Sequence, residues 1–301
     1  MVSREFIRVA ILWVEAWAAA LEAASRAYFG EGNTAAMLAI LLPLHAQLTS
    51  PGPETLLETA FAQVYARDLE AAHRLLLGFV AAGGPTGGGR VGDVLSAWDI
   101  YYKVYRSLHG KAVPAIQSID LPSASPRLLG LHDLLLSVPG TYSPSSPLVR
   151  IMSVCPHVDV IHSKQRPRKV VLAGSDGRLY GFLLKGHEDL RQDERVMQLF
   201  GLVNTLLAND HETGRRDFSI RRYAVTPLSH TAGLVGWVPN CDTLNALVKC
   251  NRDARHVPQN IEHRCAHVKI SPKFEPSTHL KNNNTPYLTT TTTTTIRFCL
   301  D

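Results

Sequence analysis

At 301 residues and 33.1 kDa, with 45% hydrophobic and 19% charged residues, the chain has the composition of a globular protein with room for two ordinary domains; a disordered tail or a small disulfide-stapled scaffold is excluded. The net charge of +5 is unevenly spread. Residues 1–110 carry 8 Lys/Arg against 10 Asp/Glu, while 111–301 carry 23 against 16, so the basic excess lies in the second part. Apolar runs such as 75–82 fall far short of the roughly 20 residues that span a bilayer. Met1 is followed by no basic-then-apolar leader, so a membrane-spanning or secreted chain is not expected. Five cysteines, an odd number without a C-x-x-C pair, fit a reducing compartment.

The first hundred residues read as helices. From Arg8 to Tyr28 the apolar residues Ile11, Leu12, Val14, Leu21, Ala24 and Tyr28 recur at helical spacing without Gly or Pro, which predicts one long first helix. After Gly30 and Gly32, Asn33 caps a second helix to about Gln47, with Pro43 expected to kink or end part of it. Pro53 suits the first turn of a third helix running to about Ala82. A glycine-rich linker from Gly83 to Gly92 leads to Asp93 as cap of a fourth helix, on which Val94, Trp98, Tyr101, Tyr105 and Leu108 share a face. Short connections between four helices argue for an antiparallel bundle.

From Val113 onward seven prolines between 114 and 156 mark a linker with extended segments. Arg168 to Ala173 and Arg178 to Leu184 then read as strands around Gly174-Ser175-Asp176-Gly177, a strong hairpin signal. Helical spacing returns from Asp189 to Leu207, with Val196, Met197, Phe200, Val203 and Leu207 as the expected buried stripe. Two more strands follow, Arg222 to Pro227 and Leu234 to Val238. The fold class is therefore α+β, a four-helix bundle followed by an antiparallel sheet with one covering helix. After Val248 the pattern decays into a tail expected to be disordered, ending in seven consecutive threonines from Thr289.

The chemistry concentrates between Leu183 and Arg195. Lys185 ends a buried strand and is followed at once by a helix start bearing carboxylates, a layout that grips nucleotide phosphate. The same spacing also describes a capped helix start, with Asp189 as N-cap and the other charges solvated. Ser163 and Gln165, set among Lys164, Arg166, Arg168 and Lys169, read equally as a solvated basic turn or a nuclear-import patch, and Trp237 and Tyr223 as core aromatics. His187-Glu188 lacks the second histidine of a zinc-protease motif, and Arg215-Arg216-Asp217 precedes the position a catalytic loop would occupy. Cys250, His256, His263, Cys265 and His267 match no zinc-site spacing.

The run from Ser163 to Asn209, through S-K-Q-R-P-R-K and F-L-L-K-G-H-E-D-L-R-Q-D-E-R-V-M, resembles the kinase N-lobe of the TOR (target of rapamycin) type of phosphatidylinositol-3-kinase-related protein kinases. R-V-A-I-L-W at 8–13, E-A-A-S-R-A-Y-F-G-E at 22–31 and A-W-D-I-Y-Y-K-V at 97–104 resemble the FRB domain of the same family, so the resemblance runs from about Arg8 to Val248. It implies residues 1–110 as FRB bundle, 111–147 as Pro-rich linker and lead-in, 148–248 as kinase N-lobe with hinge, and 249–301 as divergent tail. It further implies an ATP site in which Ser163 and Gln165 lie near the phosphates, Lys185 is the phosphate lysine, and Glu188 and Asp193 orient it. Leu183 and Tyr223 would line the adenine pocket. Gly236, Trp237 and Val238 would form the hinge, with Trp237 stacking on adenine and Thr243 just beyond.

In such FRB domains rapamycin, already bound to a small immunophilin, docks in a cleft. The matching positions are Leu21, Ser25, Tyr28 and Phe29, with Leu95, Trp98, Asp99, Tyr102 and Tyr105. Leu95 stands where the family has a small hydroxyl residue and Tyr105 where it has Phe. The resemblance also implies ATP and Mg in an intact parent, protein substrates, TOR-complex subunits as partners, no nucleic acid, and a cytoplasmic location peripheral to endomembranes. The family's G-D-R-H-x-x-x-N loop and D-F-G occur nowhere in the 301 residues. The chain is thus expected to be a fragment of a serine/threonine kinase that is inactive alone, or a non-catalytic module presenting an FRB domain to partners.

Overall fold

The computed structural model describes residues 1–84, 87–258, 261 and the strand 297–299. They fall into two compact units, Met1–Trp237 and Val238–Asp301.

The first unit opens with α1 (Val2–Ala10) and α2 (Trp13–Ser25). The long helix expected over Arg8 to Tyr28 is broken at Ile11 and Leu12, both extended. No Gly or Pro causes the break. Glu15 does: its carboxylate accepts the Leu12 N–H at 3.2 Å and so starts a new helix. A π-helical turn over Arg26–Gly30 then carries Tyr28 and Phe29. Asn33 caps α3 (Thr34–Thr49), its side chain accepting the Ala36 N–H at 2.9 Å. Pro43 neither ends nor splits α3, whose buried Met37, Leu41 and His45 hold it in the bundle. α4 (Leu56–Ala81) starts beyond Pro53, at a reciprocal cap between Thr55 and Glu58. α5 (Val91–Ser107) begins two residues before Asp93, which sits in the first turn where its charge favours the helix dipole.

These four helices share one core. Trp17, Leu21, Met37, Leu41, Leu69, Leu76, Tyr101 and Leu108 are among its fully buried side chains. Each large apolar side chain so buried contributes roughly 1.5–3 kcal/mol. α1 takes no part in that core. Its Phe6, Val9 and Ala10 pack with Val170, Leu172, Phe182 and Leu184 of the sheet.

The sheet has seven antiparallel strands. They are β1 (Ser118–Asp120), β2 (Ile151–Val154), β3 (His157–Val160), β4 (Arg168–Gly174), β5 (Leu179–Gly186), β6 (Val225–Pro227) and β7 (Ala232–Gly236). The spatial order is β1-β3-β4-β5-β7-β6, with β2 paired to the far end of β4. The hairpin expected at 174–177 forms, and Gly177 at φ 77° supplies the left-handed turn residue. The stretch read as linker is packed: Ile119, Leu121, Ala124, Leu128 and Val138 are buried against the sheet.

Three short helices, α6 (Val113–Ala115), α7 (Leu121–Ala124) and α8 (Pro126–Leu129), lie between α5 and β2; α9 (Arg191–Asn209) follows β5, and the short α10 (His211–Arg215) follows α9. Of the stripe expected on α9 only Met197 is fully buried; Phe200, Val203 and Leu207 are half-buried and Val196 is exposed. The apolar arc on α9 is wider than the sheet edge at β6 can cover. In the second unit, β8 (Cys241–Thr243) pairs with 297–299 and leads into α11 (Leu244–Ala254), so helical structure continues past Val248. The threonine run, His263, Cys265 and His267 lie outside the described residues.

Bundle and sheet are joined by buried charge. Arg168, 2% exposed, donates to the Val9 carbonyl at 3.2 Å, to the Arg166 carbonyl and to the Glu15 carboxylate. Glu15→Ala leaves that guanidinium buried without its counter-charge, at a cost of about 3–5 kcal/mol. Urea melts should show this loss, and Glu15→Leu combined with Arg168→Met should recover most of it.

The bundle core also holds an uncharged polar cluster. His45 Nε2 shares a hydrogen bond with the Tyr101 hydroxyl at 2.8 Å, and its ring stacks on His73 at 4.0 Å. Burial, with repulsion from His73, pushes His45 from 6.5 down to about 3. The fold therefore favours neutral His45, whereas the unfolded chain protonates below about 6.5. Stability should fall as pH drops from 6.5 toward 3. A melting temperature that declines over this range, and declines less in His45→Gln, is the expected outcome.

Candidate functional site: a lysine-bearing sheet face and an aromatic cleft

Strand alternation sorts β5 cleanly. Phe182, Leu184 and Gly186 face the core, and Gly181, Leu183 and Lys185 face the half-open side. Cross-strand partners share a face, so register brings Lys169 opposite Leu183, Val235 opposite Leu183, and Gly233 opposite Lys185 onto that same side. Two glycines therefore flank this face, and a neighbouring side chain settles over each: Trp237 over Gly181, and Leu190 over Gly233, where a Cβ would lie 2.7 Å from Leu190 Cδ1. At the end of this face the Lys185 ammonium donates to Glu188 Oε2 at 2.8 Å.

Gly186, next in sequence, has a different duty. A Cβ there would lie 2.7 Å from the Ala10 carbonyl oxygen and 2.7 Å from Ile11 Cγ1, so the α1–α2 break packs directly onto the strand that delivers Lys185. His187 then turns the chain at φ 60°. Asp189 is not the N-cap; Leu190 occupies that position. The Asp189 carboxylate instead pairs with the Arg191 guanidinium and accepts the Arg191 N–H at 3.1 Å, which together lower its pKa to about 2. Asp193 is exposed in the first turn of α9, and the partner that holds Lys185 is Glu188.

Ser163 and Gln165 lie in the tight loop joining β3 to β4. The Ser163 carbonyl accepts the Arg166 N–H at 3.2 Å, and Arg166 takes a left-handed φ of 46°. Both side chains are exposed. At the other end of the face, the Trp237 N–H donates to the Gly181 carbonyl at 2.9 Å, and its side chain lies over Gly181, where a Cβ would come within 3.2 Å. Lys169 Nζ sits 4.9 Å from the Trp237 ring centre, a cation–π contact that sequence reasoning did not anticipate. Gly236 is held by the Ala224 carbonyl at 2.7 Å, one residue from Tyr223, which is 38% exposed. Register thus joins Leu183, Lys185 and Trp237 along one face, whereas Gly236, paired with Phe182, lies on the opposite, core-facing side. Val238 and Thr243 belong to the second unit, where the Thr243 hydroxyl caps α11 by accepting the Ala246 N–H.

The bundle carries the second constellation. Tyr28 stacks on Trp98 with ring centres 6.4 Å apart, Phe29 meets Trp98 at 5.5 Å, and Tyr28 meets Phe29 edge-on at 4.9 Å. The π-turn places these two consecutive residues against one indole, which an unbroken α-helix would not do. Trp98 is 7% exposed and its indole N–H has no hydrogen-bond partner among the described residues. Phe29, Leu95, Asp99 and Tyr102 are exposed, and Ser25 and Tyr105 half-buried. Leu21 is buried in the core beneath them.

An antiparallel sheet presenting a strand-end lysine clamped by a glutamate, with a backbone-paired edge beyond it, is the upper lobe of a kinase-type nucleotide fold. Family models agree. Residues 179–296 match the phosphatidylinositol 3- and 4-kinase model, and residues 5–110 match the FKBP12-rapamycin binding domain. The chain is 53% identical over 94% of its length to the serine/threonine-protein kinase TOR of Oryza sativa subsp. japonica, 52% over 91% to mTor of Drosophila melanogaster, and 47% over 93% to TOR2 of Saccharomyces cerevisiae. It belongs to the TOR family of serine/threonine kinases. It spans 12%, 11% and 11% of those three relatives. Among the described residues no helix is long and apolar enough to cross a membrane, and no three His, Cys, Asp or Glu side chains gather into a metal site.

Proposed function

We propose that this chain supplies the FRB domain and the upper, phosphate-gripping wall of the ATP site of a TOR-type kinase. The parent transfers the ATP γ-phosphoryl to protein serine or threonine. The observation that carries this reading is the Lys185–Glu188 pair at 2.8 Å on a half-open sheet face that also bears Leu183 and Trp237. An ammonium held by a carboxylate is positioned to meet phosphate oxygens. Leu183 and Trp237 offer an apolar edge and a ring face to adenine, and the 163–166 loop offers Ser163 and Gln165 toward the phosphates. Tyr223 and Gly236 complete the pocket wall in this reading, with Asp193 supporting Glu188, while Val238 and Thr243 keep only the hinge role that the family resemblance implies. Mg is held in the parent by the G-D-R-H-x-x-x-N and D-F-G segments, which these 301 residues lack.

In the same reading, 1–110 is the FRB unit, 111–147 the lead-in, 148–248 the N-lobe with hinge, and 249–301 a divergent tail. The protein substrates and TOR-complex subunits are partners of the parent, which is cytoplasmic and peripheral to endomembranes. The missing motifs favour a second reading for the chain by itself, a binding module without phosphoryl transfer. Incubated with labelled ATP, Mg and a protein substrate, the 301-residue chain should give no transfer above its Lys185→Met variant. Lys185-dependent labelling would refute its inactivity. In a full-length parent, Lys185→Met should abolish transfer; retained activity there would refute the role of the lysine.

The aromatic cleft is proposed to receive a rapamycin–immunophilin complex through Phe29, Leu95, Trp98, Asp99, Tyr102 and Tyr105, with Ser25 and Tyr28 alongside and Leu21 supporting from below. Trp98→Ala should weaken a calorimetric titration by roughly 2 kcal/mol or more, since a desolvated aromatic anchor dominates such contacts. An unchanged titration would show the cleft misassigned.

A further inference from the structure

A cavity of about 390 Å³ lies away from both sites, within the first unit. One wall comes from the starts of α2 and α4, where Trp13 meets Phe61 edge-on at 5.9 Å and Phe61 meets Tyr65 at 5.1 Å. The facing wall comes from the chain that leaves the bundle for the sheet, through Ala115, Ile116 and Ile119.

Its polar residues are already engaged. Glu58 Oε2 accepts the Glu54 and Thr55 N–H groups at 2.7 and 3.2 Å, and its Oε1 meets Arg8 Nε at 3.2 Å. The Thr55 hydroxyl accepts the Glu58 N–H, the Tyr65 hydroxyl pairs with Ser107 Oγ at 3.0 Å, and Arg8 is further held by Glu5 and Glu54. Charges at this end also balance: Arg4, Arg8 and Arg127 face Glu5, Glu54 and Glu58. What remains open to a guest is apolar and aromatic surface, with the Ser118 hydroxyl and the Trp13 indole N–H as available polar atoms.

We propose that this cavity is a binding site for an uncharged, largely aromatic or alicyclic small molecule carrying no more than one hydrogen-bonding group. The volume lies within the range of small-molecule pockets, roughly 300–1,000 Å³. At about 30 Å³ per water it holds on the order of a dozen molecules. Those waters face walls whose hydrogen-bonding groups, apart from the Ser118 hydroxyl and the Trp13 indole N–H, are committed elsewhere, so a largely apolar guest displaces them favourably. A charged guest would have to break the Arg8–glutamate cage. Because one wall belongs to the bundle and the other to the sheet's lead-in, an occupant bridges the two and should resist their separation.

N-phenyl-1-naphthylamine, a neutral fluorophore with one N–H, is a direct probe. Titrated against the 301-residue chain, it should saturate at one molecule per chain and raise the melting temperature. Ala60→Phe and Ala115→Phe, which fill the cavity from opposite walls at exposed positions, should each weaken binding at least tenfold while keeping the helical circular dichroism of the parent chain. Phe29→Ala, in the rapamycin cleft, should leave it unchanged. No saturable binding, binding that persists in a folded filler variant, or loss of binding in Phe29→Ala would each overturn the proposal.

Discussion

The contact between Glu15 and Arg168 is the constraint on which the arrangement depends. Glu15 does three things with one carboxylate: it receives the Leu12 N–H, starts α2, and neutralises an arginine buried at the base of β4. Arg168 in turn fixes the Val9 carbonyl at the end of α1. A buried ion pair of this kind adds little net stability over an apolar pair of the same shape, because desolvation offsets most of the attraction. Its value is specificity. Neither charge can be buried alone, so α1 and α2 reach their final angle only when β4 is in place.

That coupling reaches the site through the backbone. β4 lies beside β5 with Arg168 opposite Leu184, one residue before Lys185. Gly186 lets the α1–α2 break rest on the other side of the same strand. The lysine is therefore pinned on three sides by elements far apart in sequence: Arg168 through the ladder, Ala10 and Ile11 through contact at Gly186, and Glu188 through its own carboxylate. Of these, only Glu188 is exchangeable without moving the strand. The bundle is thus part of the mounting of the sheet face as well as a separate aromatic platform.

What could be read from the sequence follows from where the stabilising partner lies. The 174–177 hairpin was legible because its glycine and aspartate act on their own backbone, and Lys185 with Glu188 because the partner is three residues away. The break at Ile11 was not, since Leu12 has no polar side chain to mark a cap, and Glu15, three residues on, is held in place by an arginine 153 residues distant. The π-turn that aims Tyr28 and Phe29 at Trp98 is likewise a tertiary outcome. On α9 the spacing identified apolar residues correctly but not which of them the sheet edge would cover. The buried His45–His73 stack lay on helices read only for their apolar residues, so a polar cluster inside the bundle went unremarked.

Trp237 shows how a local choice acquires a functional meaning from register alone. Its N–H completes the ladder with Gly181, and the missing side chain at Gly181 lets the indole settle over that strand. Lys169, brought to the same face by pairing with Leu183, then places its ammonium near the ring. An indole held by its backbone on one side and by a cation near its face is oriented in advance for the adenine stacking proposed for it. Such preorganisation lowers the ordering cost of binding. It also means that Lys169, a residue with no expected role in the site, sets how the face presents its aromatic edge. A charge reversal there would disturb the ring without touching the Lys185–Glu188 pair.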